Sequence, residues 1–121
     1  MLAIGVDLVE LARIQRLVDR FGDRFLQRVY TAEEQRYCAG KIPQLGARFA
    51  AKEAISKALG TGVAGFCWTE LEIVVDHQGQ PGVRLHGAAL ERARALNLRE
   101  FALSLSHSQD YAIAFVVAHG E

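Results

Sequence analysis

Residues 48–62 read RFAAKEAISKALGTG and form most of the longest predicted helix, which extends from about Pro43 to Leu59. A helical wheel with about 100° per residue separates polar side chains from small and aliphatic ones. The polar side holds Lys52, Glu53, Ser56 and Lys57, and the opposite side holds Ala51, Ala54, Ile55, Ala58 and Leu59. This pattern predicts an amphipathic helix whose small residues pack closely beneath a polar stripe.

Two interpretations fit Glu53 and Lys57. As an ordinary pair four residues apart on a helix they would contribute about 0.2–0.5 kcal/mol. Alternatively, Glu53 binds a metal ion and Lys57 binds a phosphate, which requires a second carboxylate, because Mg²⁺ prefers oxygen ligands from one or two carboxylates and substrate phosphates. Gly60 and Gly62 follow the helix, where glycine is typical of a cap, whereas phosphate-binding loops precede helices.

Asp7 is the candidate second carboxylate. It ends the apolar run of residues 2–6, which predicts a strand, and it precedes residues 8–21, whose apolar spacing predicts a helix. At such a junction Asp7 would also be suited to cap the helix, and DLVE at 7–10 resembles a capping box. The metal and capping interpretations compete for the same oxygens.

The rest of the chain alternates helix and hairpin signals. Gly22 and Asp23 predict a break and the cap of a short helix ending near Val29, and TAEE at 31–34 matches a capping box. Further predicted elements are a helix from 31 to about 38, a hairpin of strands 71–76 and 83–86, a helix over 87–96, and a hairpin over 101–119 that turns at 108–110. We therefore predict an α+β fold, a single small domain over 1–121 with a largely antiparallel sheet packed on helices.

Composition excludes several classes of protein. A chain of 121 residues that is half hydrophobic can form one small core, so a large ligand is expected in a surface groove or between subunits. Fourteen basic residues balance fourteen acidic ones, which argues against a nucleic-acid binder. The N-terminus lacks the basic segment of a signal peptide, and no apolar run reaches the roughly 20 residues of a membrane helix. Cys38 and Cys67 form no CxxC motif, so a cytoplasmic protein with reduced cysteines is predicted, and a disulfide between the two is the alternative.

His107 lies near the tip of the last predicted hairpin, in SLSHSQDYA. A triad of Ser106, His107 and Asp110 is rejected, since adjacent strand residues point to opposite faces and there is no GxSxG motif. His107 is either a surface residue or, beside bound phosphates, a group that holds a phosphate or moves a proton.

Three stretches together identify a family. GVDLVELARI at 5–14, RFAAKEAISKALGTG at 48–62 and SLSHSQDYAIA at 104–114 closely resemble, in order and spacing, the holo-acyl-carrier-protein synthases, the short family of 4′-phosphopantetheinyl transferases. The similarity covers essentially the whole chain. It implies transfer of phosphopantetheine from coenzyme A to a serine hydroxyl of apo-acyl carrier protein, release of adenosine 3′,5′-bisphosphate, and a role in fatty acid biosynthesis.

The resemblance also implies roles for single residues. Asp7 and Glu53 would hold Mg²⁺ with coenzyme A phosphate oxygens, and Lys57 would contact those phosphates. Glu53, directly or through a metal-bound water, would accept the serine proton. The coenzyme A site would include Arg48 and His107, and the HQGQPG turn with Gly79 and Pro81 would border the nucleotide. The family works as a homotrimer with active sites between subunits, which agrees with the expectation from chain length.

A row of arginines marks a predicted partner surface. Arg13, Arg16 and Arg20 lie on one side of the predicted helix 8–21, where they would form either an ordinary solvated face or a docking site. The resemblance implies that this face binds the acidic helix of acyl carrier protein, with Arg13 as the best match. Two rival hypotheses stay open, namely a non-catalytic coenzyme A-binding module and a structural interaction domain in which Asp7 is a cap and Glu53 pairs with Lys57.

Overall fold

The computed structural model describes residues 1–60, 62 and 65–120. Its helices are α1 (Leu11–Phe21), α2 (Asp23–Val29), α3 (Ala32–Cys38), α4 (Ile42–Ala58) and α5 (Gly87–Ala95). Its strands are β1 (Leu2–Glu10), β2 (Leu71–Val75), β3 (Pro81–Leu85), β4 (Glu100–His107) and β5 (Tyr111–His119), and a 3₁₀ turn, Trp68–Glu70, precedes β2.

The strands form two antiparallel sheets, which confirms the predicted α+β class. One sheet has the order β1-β5-β4, and the other is the β2-β3 hairpin. Alternate residues of β1 and β5 point to α4, and apart from Asp7 these inward positions carry small or β-branched side chains. The fully buried ones on β5 are Ala112, Ala114, Val116 and Ala118.

Helix α4 is buried on nearly every side, so the predicted amphipathic helix is wrong. Its small residues lie in the core, as expected, but Lys52 and Ser56 on the predicted polar stripe are buried too, and so is Arg48. The helical wheel failed because elements pack on both sides of the helix, with β1 and β5 on one flank and α1, α3 and β2 on others. Of the stripe, Lys57 is exposed and Glu53 is half-buried.

Gly5 sets how closely β1 approaches α4. A Cβ atom placed on Gly5 would lie 1.8 Å from the carbonyl oxygen of Ala54, a contact that real structures do not contain. No side chain therefore fits at position 5 unless the strand and the helix separate. This contact decides the distance between the side chains that follow on the two elements, Asp7 on β1 and Lys57 on α4.

The predicted boundary between the first strand and the first helix is wrong. β1 continues to Glu10 because its backbone pairs with β5 over nine residues, and Asp7 lies opposite Ala114 within that ladder. Asp7 therefore does not cap α1. The cap position is Glu10, whose side chain makes no capping hydrogen bond, and the Leu11 N–H donates instead to the Asp110 carbonyl at 2.9 Å.

The other helix boundaries agree with the sequence within a residue or two. Gly22 ends α1 with φ 54°, as predicted, but it also occupies the cap position of α2, so Asp23 is the first helical residue and not the cap. The predicted capping box of α3 is confirmed, because Thr31 Oγ1 accepts from the Glu34 N–H and Glu34 Oε1 accepts from the Thr31 N–H.

Candidate active site

β1 and α4 bring Asp7, Glu53 and Lys57 together. Lys57 Nζ donates to Asp7 Oδ1 at 2.7 Å and to the Val6 carbonyl at 3.1 Å. The first of the two interpretations, an ordinary pair of Glu53 with Lys57, does not describe this contact, because Lys57 forms its ion pair across the fold, with Asp7. The Asp7 side chain is 13% exposed and that of Lys57 is 53% exposed, so the pair lies at the protein surface with the carboxylate on its inner side.

The negative charge of the Glu53 carboxylate is only partly balanced by neighbouring positive charges. Burial raises the pKa of Glu53, and the nearby Asp7 carboxylate raises it further, while Arg13 and Lys57 only partly oppose the shift. The hydrogen bond to Asp7 raises the pKa of Lys57, which keeps the ammonium charged. Two adjacent carboxylates whose repulsion is only partly relieved form a region that favours an added cation.

The donor set at Asp7 and Glu53 fits a hard cation only in part. Carboxylate oxygens are the ligands that Mg²⁺ prefers, and two of them are present. Within residues 1–60, 62 and 65–120, however, no group of three or more His, Cys, Asp or Glu side chains could hold a metal ion. A metal at this place would need further oxygen ligands from water or from a substrate.

Arg48 lies away from these three residues. It is five positions before Glu53, about 140° around α4, and its guanidinium lies 4.4 Å from the centre of the Tyr37 ring. The residue is 6% exposed, and its Nε has no hydrogen-bond partner. Arg48 also faces Cys38, but burial dominates there and raises the pKa of that thiol to about 11, so the thiol is inert.

His107 and the β2–β3 turn are also separate from Asp7 within one chain. His107 is the last residue of β4 and pairs with Ala112, whereas Asp7 pairs with Ala114, so the whole of β5 lies between them. Two strand spacings separate them by about 10 Å across the sheet, and the two-residue offset along β5 adds to this distance. Gly79 adopts φ 84° in the turn of the other sheet, and Pro81 is the first residue of β3.

The arginine face of α1 borders an apolar cavity. Arg13, Arg16 and Arg20 lie along a shallow groove on α1. One turn further, a cavity of about 340 Å³ opens between α1, α2 and α4; its lining is Leu17, Phe21, Arg24, Phe25, Arg28, Val29, Phe49 and Trp68. The predicted basic surface therefore adjoins an apolar depression, which the arginine spacing did not indicate.

Sequence reasoning missed two arrangements next to the site. Lys52, placed on the solvent stripe by the helical wheel, is fully buried in an ion pair with Glu34 at 2.9 Å. Trp68 stacks on Phe49 with ring centres 4.8 Å apart, and the guanidinium of Arg13 lies 5.3 Å from the centre of the Phe49 ring. For the arrangement around Phe49, the sequence held one signal. Phe49 and Glu53 are four residues apart, which places both on one face of α4.

No helix in the described part of the chain has the length and apolar character needed to span a bilayer.

Comparison with known proteins identifies the family. A family model described as the 4′-phosphopantetheinyl transferase superfamily matches residues 3–116. The holo-[acyl-carrier-protein] synthase of Herpetosiphon aurantiacus is 50% identical over 127 residues, covering 99% of this chain and 100% of that protein.

Solved structures agree with this similarity. The Helicobacter pylori holo-[acyl-carrier-protein] synthase in complex with coenzyme A superposes with a TM-score of 0.88 at 33% identity, covering 96% of this chain and 99% of that one. The Neisseria meningitidis holo-[acyl-carrier-protein] synthase superposes with a TM-score of 0.85 at 39% identity, covering 97% of both chains. The sequence, the fold and these similarities together place the chain among the holo-[acyl-carrier-protein] synthases, enzymes of the 4′-phosphopantetheinyl transferase superfamily.

Proposed function

We propose that the protein transfers the 4′-phosphopantetheine group of coenzyme A to a serine hydroxyl of apo-acyl carrier protein, in a Mg²⁺-dependent reaction that releases adenosine 3′,5′-bisphosphate. In this reaction a P–O bond to the serine oxygen forms while the bond to the leaving phosphate breaks. Its cellular role is the supply of holo-acyl carrier protein for fatty acid biosynthesis in the cytoplasm.

The observation that carries this proposal is the meeting of Asp7, Glu53 and Lys57 at one surface point. These residues come from two elements fifty positions apart, and Gly5 holds those elements at a distance that no larger residue permits. Asp7 and Glu53 would hold the metal, with water and coenzyme A phosphate oxygens completing its shell. When bound, Mg²⁺ supplies stabilisation of the negative charge that develops on the transferring phosphoryl group.

Lys57 and Glu53 have distinct tasks in the proposed reaction. The Lys57 ammonium, kept charged by its hydrogen bond to Asp7, would contact the phosphates of coenzyme A and lower the cost of their charge. Glu53, directly or through a bound water, would take the serine proton. His107 would assist by holding a phosphate of coenzyme A.

A homotrimer with sites between subunits accounts for the residues that one chain keeps apart. His107, Arg48, Gly79 and Pro81 do not contact Asp7 within the chain, and a neighbouring subunit would supply some of them to each coenzyme A site. The outer face of the three-stranded sheet supports such an assembly. It exposes a continuous apolar surface formed by Leu2, Ile4, Val6, Leu8, Tyr111, Ile113 and Phe115, and exposed patches of this kind mark interaction sites.

The carrier protein would dock on the arginine face of α1. Arg13 lies near both Phe49 and Glu53, so a partner bound to Arg13, Arg16 and Arg20 would present its serine close to the proposed metal site. The partner is expected to be acidic, and its association should weaken as salt screens the charges.

Intact-mass spectrometry of apo-acyl carrier protein tests the reaction. After incubation with this protein, coenzyme A and Mg²⁺, the carrier should gain the mass of phosphopantetheine, and a parallel incubation with EDTA should give no gain. Binding of coenzyme A without any gain would favour a non-catalytic coenzyme A-binding module. No coenzyme A binding would favour a purely structural interaction domain.

A further inference from the structure

A buried ion pair lies on the side of α4 away from Asp7, and the proposed reaction does not use it. Lys52 and Glu34 have fully buried side chains. Lys52 Nζ donates to Glu34 Oε1 at 2.9 Å and to the carbonyl oxygens of Trp68 and Leu71, both at 3.0 Å. All three protons of the ammonium are thereby used, which is the condition under which a buried charge is tolerated.

Glu34 is also fully used. Its Oε1 accepts from the Thr31 N–H at 2.8 Å in addition to Lys52, and its Oε2 accepts from the Ile73 N–H at 2.8 Å. The ion pair therefore joins the start of α3, the middle of α4, the 3₁₀ turn and the beginning of β2. The backbone of the turn, including the Trp68 carbonyl, is fixed from within the core.

The side chain of Trp68 continues this connection toward the active site. Its ring stacks on Phe49 at an interplanar angle of 25°, and Phe49 is 3% exposed. The Arg13 guanidinium lies near the Phe49 ring, at a distance typical of a cation–π contact. Arg13 in turn is close enough to Glu53 to act on its ionisation.

We propose that Trp68, held by the buried Lys52–Glu34 pair, is a positioning residue that supports Phe49 and, through Phe49, fixes Arg13 beside Glu53. Trp68 touches no reacting group itself. Its role is to keep the Arg13 guanidinium in one orientation on the side of the site where the carrier protein would dock. The catalytic consequence of this role rests on the proposed function.

The positioning itself can be tested without any activity. The Nε–Hε resonance of Arg13 in an NMR spectrum should carry a ring-current shift from Phe49. Trp68→Ala should reduce this shift, whereas Trp68→Phe, which keeps a stacking ring, should retain most of it. Tyr37→Leu is the matched control, because it removes a ring beneath a different arginine, Arg48. An unchanged Arg13 resonance in folded Trp68→Ala, or in Trp68→Leu if the alanine variant does not fold, would overturn the proposal.

The contribution of the ion pair has its own measurement. Trp68 is the only tryptophan, so the intrinsic fluorescence reports on this one position. The double variant Lys52→Met/Glu34→Gln, which removes both charges together, should give a red-shifted native emission that iodide quenches more strongly. If the folded double variant has the emission and quenching of the wild type, the ion pair does not hold Trp68 in place.

Kinetics then test the consequence for catalysis. If Trp68 acts through Arg13, Trp68→Ala should raise the carrier-protein KM roughly two- to fivefold, the range of an exposed cation–π contact, with the coenzyme A KM unchanged. The variant Trp68→Ala/Arg13→Ala should then resemble Arg13→Ala alone. If the KM increases of Trp68→Ala and Arg13→Ala multiply in the double variant, the proposal is contradicted. Absence of transfer by the wild-type protein would refute the proposed function, while the Arg13 resonance would still decide the positioning role.

Discussion

Lys57 Nζ lies 2.7 Å from Asp7 Oδ1, although fifty residues separate them in the chain. The ion pair joins the middle of β1 to the last turn of α4, beside the Glu53 carboxylate. It explains why a helix composed largely of small residues carries an ammonium near its end, since that ammonium partly neutralises a pair of carboxylates. The first prediction follows directly from these three side chains.

The first prediction concerns Glu53→Gln. Transfer should fall at least about 100-fold, because the proposed metal ligand, worth several kcal/mol of charge stabilisation, is lost. In EDTA at pH 7 the same variant should unfold at a higher temperature than the wild type. The pKa of Glu53 is raised in the folded chain above its ordinary 4.5, so ionisation of this group costs stability once the pH exceeds the folded value.

Calorimetry in EDTA and single-turnover assays check both effects. Asp7→Asn is the comparison variant, and it should also abolish transfer but without the gain in stability, because Lys57 loses its partner. A lower unfolding temperature for Glu53→Gln would contradict the repulsion between the carboxylates.

The second prediction concerns Gly5→Ala. The added methyl group would overlap the Ala54 carbonyl oxygen, so β1 and α4 must separate. We expect a loss of about 1–3 kcal/mol in the free energy of unfolding and a fall in transfer of up to about 100-fold, because small displacements of reacting groups are costly.

Gly82→Ala is the matched control for Gly5→Ala. It also lies in a strand, but the nearest atom to its added Cβ is Val74 Cγ2 at 3.5 Å, an ordinary contact. Chemical denaturation of both variants should separate them clearly, and transfer assays on Gly5→Ala measure its loss of activity. Equal behaviour of the two would show that the approach of β1 to α4 is not restrictive.

The third prediction concerns docking. Arg16→Glu should raise the KM for carrier protein and flatten its dependence on salt, while the affinity for coenzyme A stays at the wild-type value. Steady-state kinetics at low and high salt measure both effects. Arg94→Glu on α5 makes the same change of charge away from the arginine face and should leave the carrier KM unaltered. A matching loss of coenzyme A affinity in Arg16→Glu would count against a docking role.

The fourth prediction concerns the apolar face of the sheet. Ile113→Lys places a charge opposite Leu8 at the centre of that face. It should convert the proposed trimer into single chains of 13.3 kDa and abolish transfer, because the proposed sites lie between subunits. Light scattering coupled to size exclusion measures the mass. Glu91→Lys, at an exposed position of α5, should remain trimeric. A monomeric wild-type protein with full activity would refute the proposed assembly.

The fifth prediction concerns acid stability. Burial alone would raise the pKa of Glu72, but hydrogen bonds from His86 and Thr31 outweigh it, and the charges of His86 and Arg84 add to them, so the pKa is lowered. Lys52 also interacts with this carboxylate. The folded chain therefore binds this proton less tightly than the unfolded chain does, and the stabilisation is complete above pH 4.5 and lost as the pH falls through the folded value.

Glu72→Gln should accordingly be less stable than the wild type at pH 7 and should lose less stability on acidification. Urea titrations at pH values between about 3 and 7 measure the difference between the two profiles. Parallel profiles across this range would show that Glu72 is not an acid-sensitive group in the fold.

The sequence by itself determined the class of the fold, most element boundaries and the identity of the central carboxylates. Local signals were sufficient for these, since the capping box at Thr31, the glycine at position 22 and the alternation in β5 each act within a few residues. The family motifs likewise named Asp7, Glu53 and Lys57 together.

The tertiary structure decided what these residues contact. β1 continues past Asp7 because β5 offers it backbone hydrogen bonds from a segment a hundred residues away. Lys52 is buried because Glu34 and two carbonyl groups from other elements replace its water. A helical wheel records only the neighbours within one helix, whereas a helix packed on several sides takes its environment from residues distant in the chain, and for that physical reason the pairs Asp7–Lys57 and Lys52–Glu34 could not be predicted from spacing.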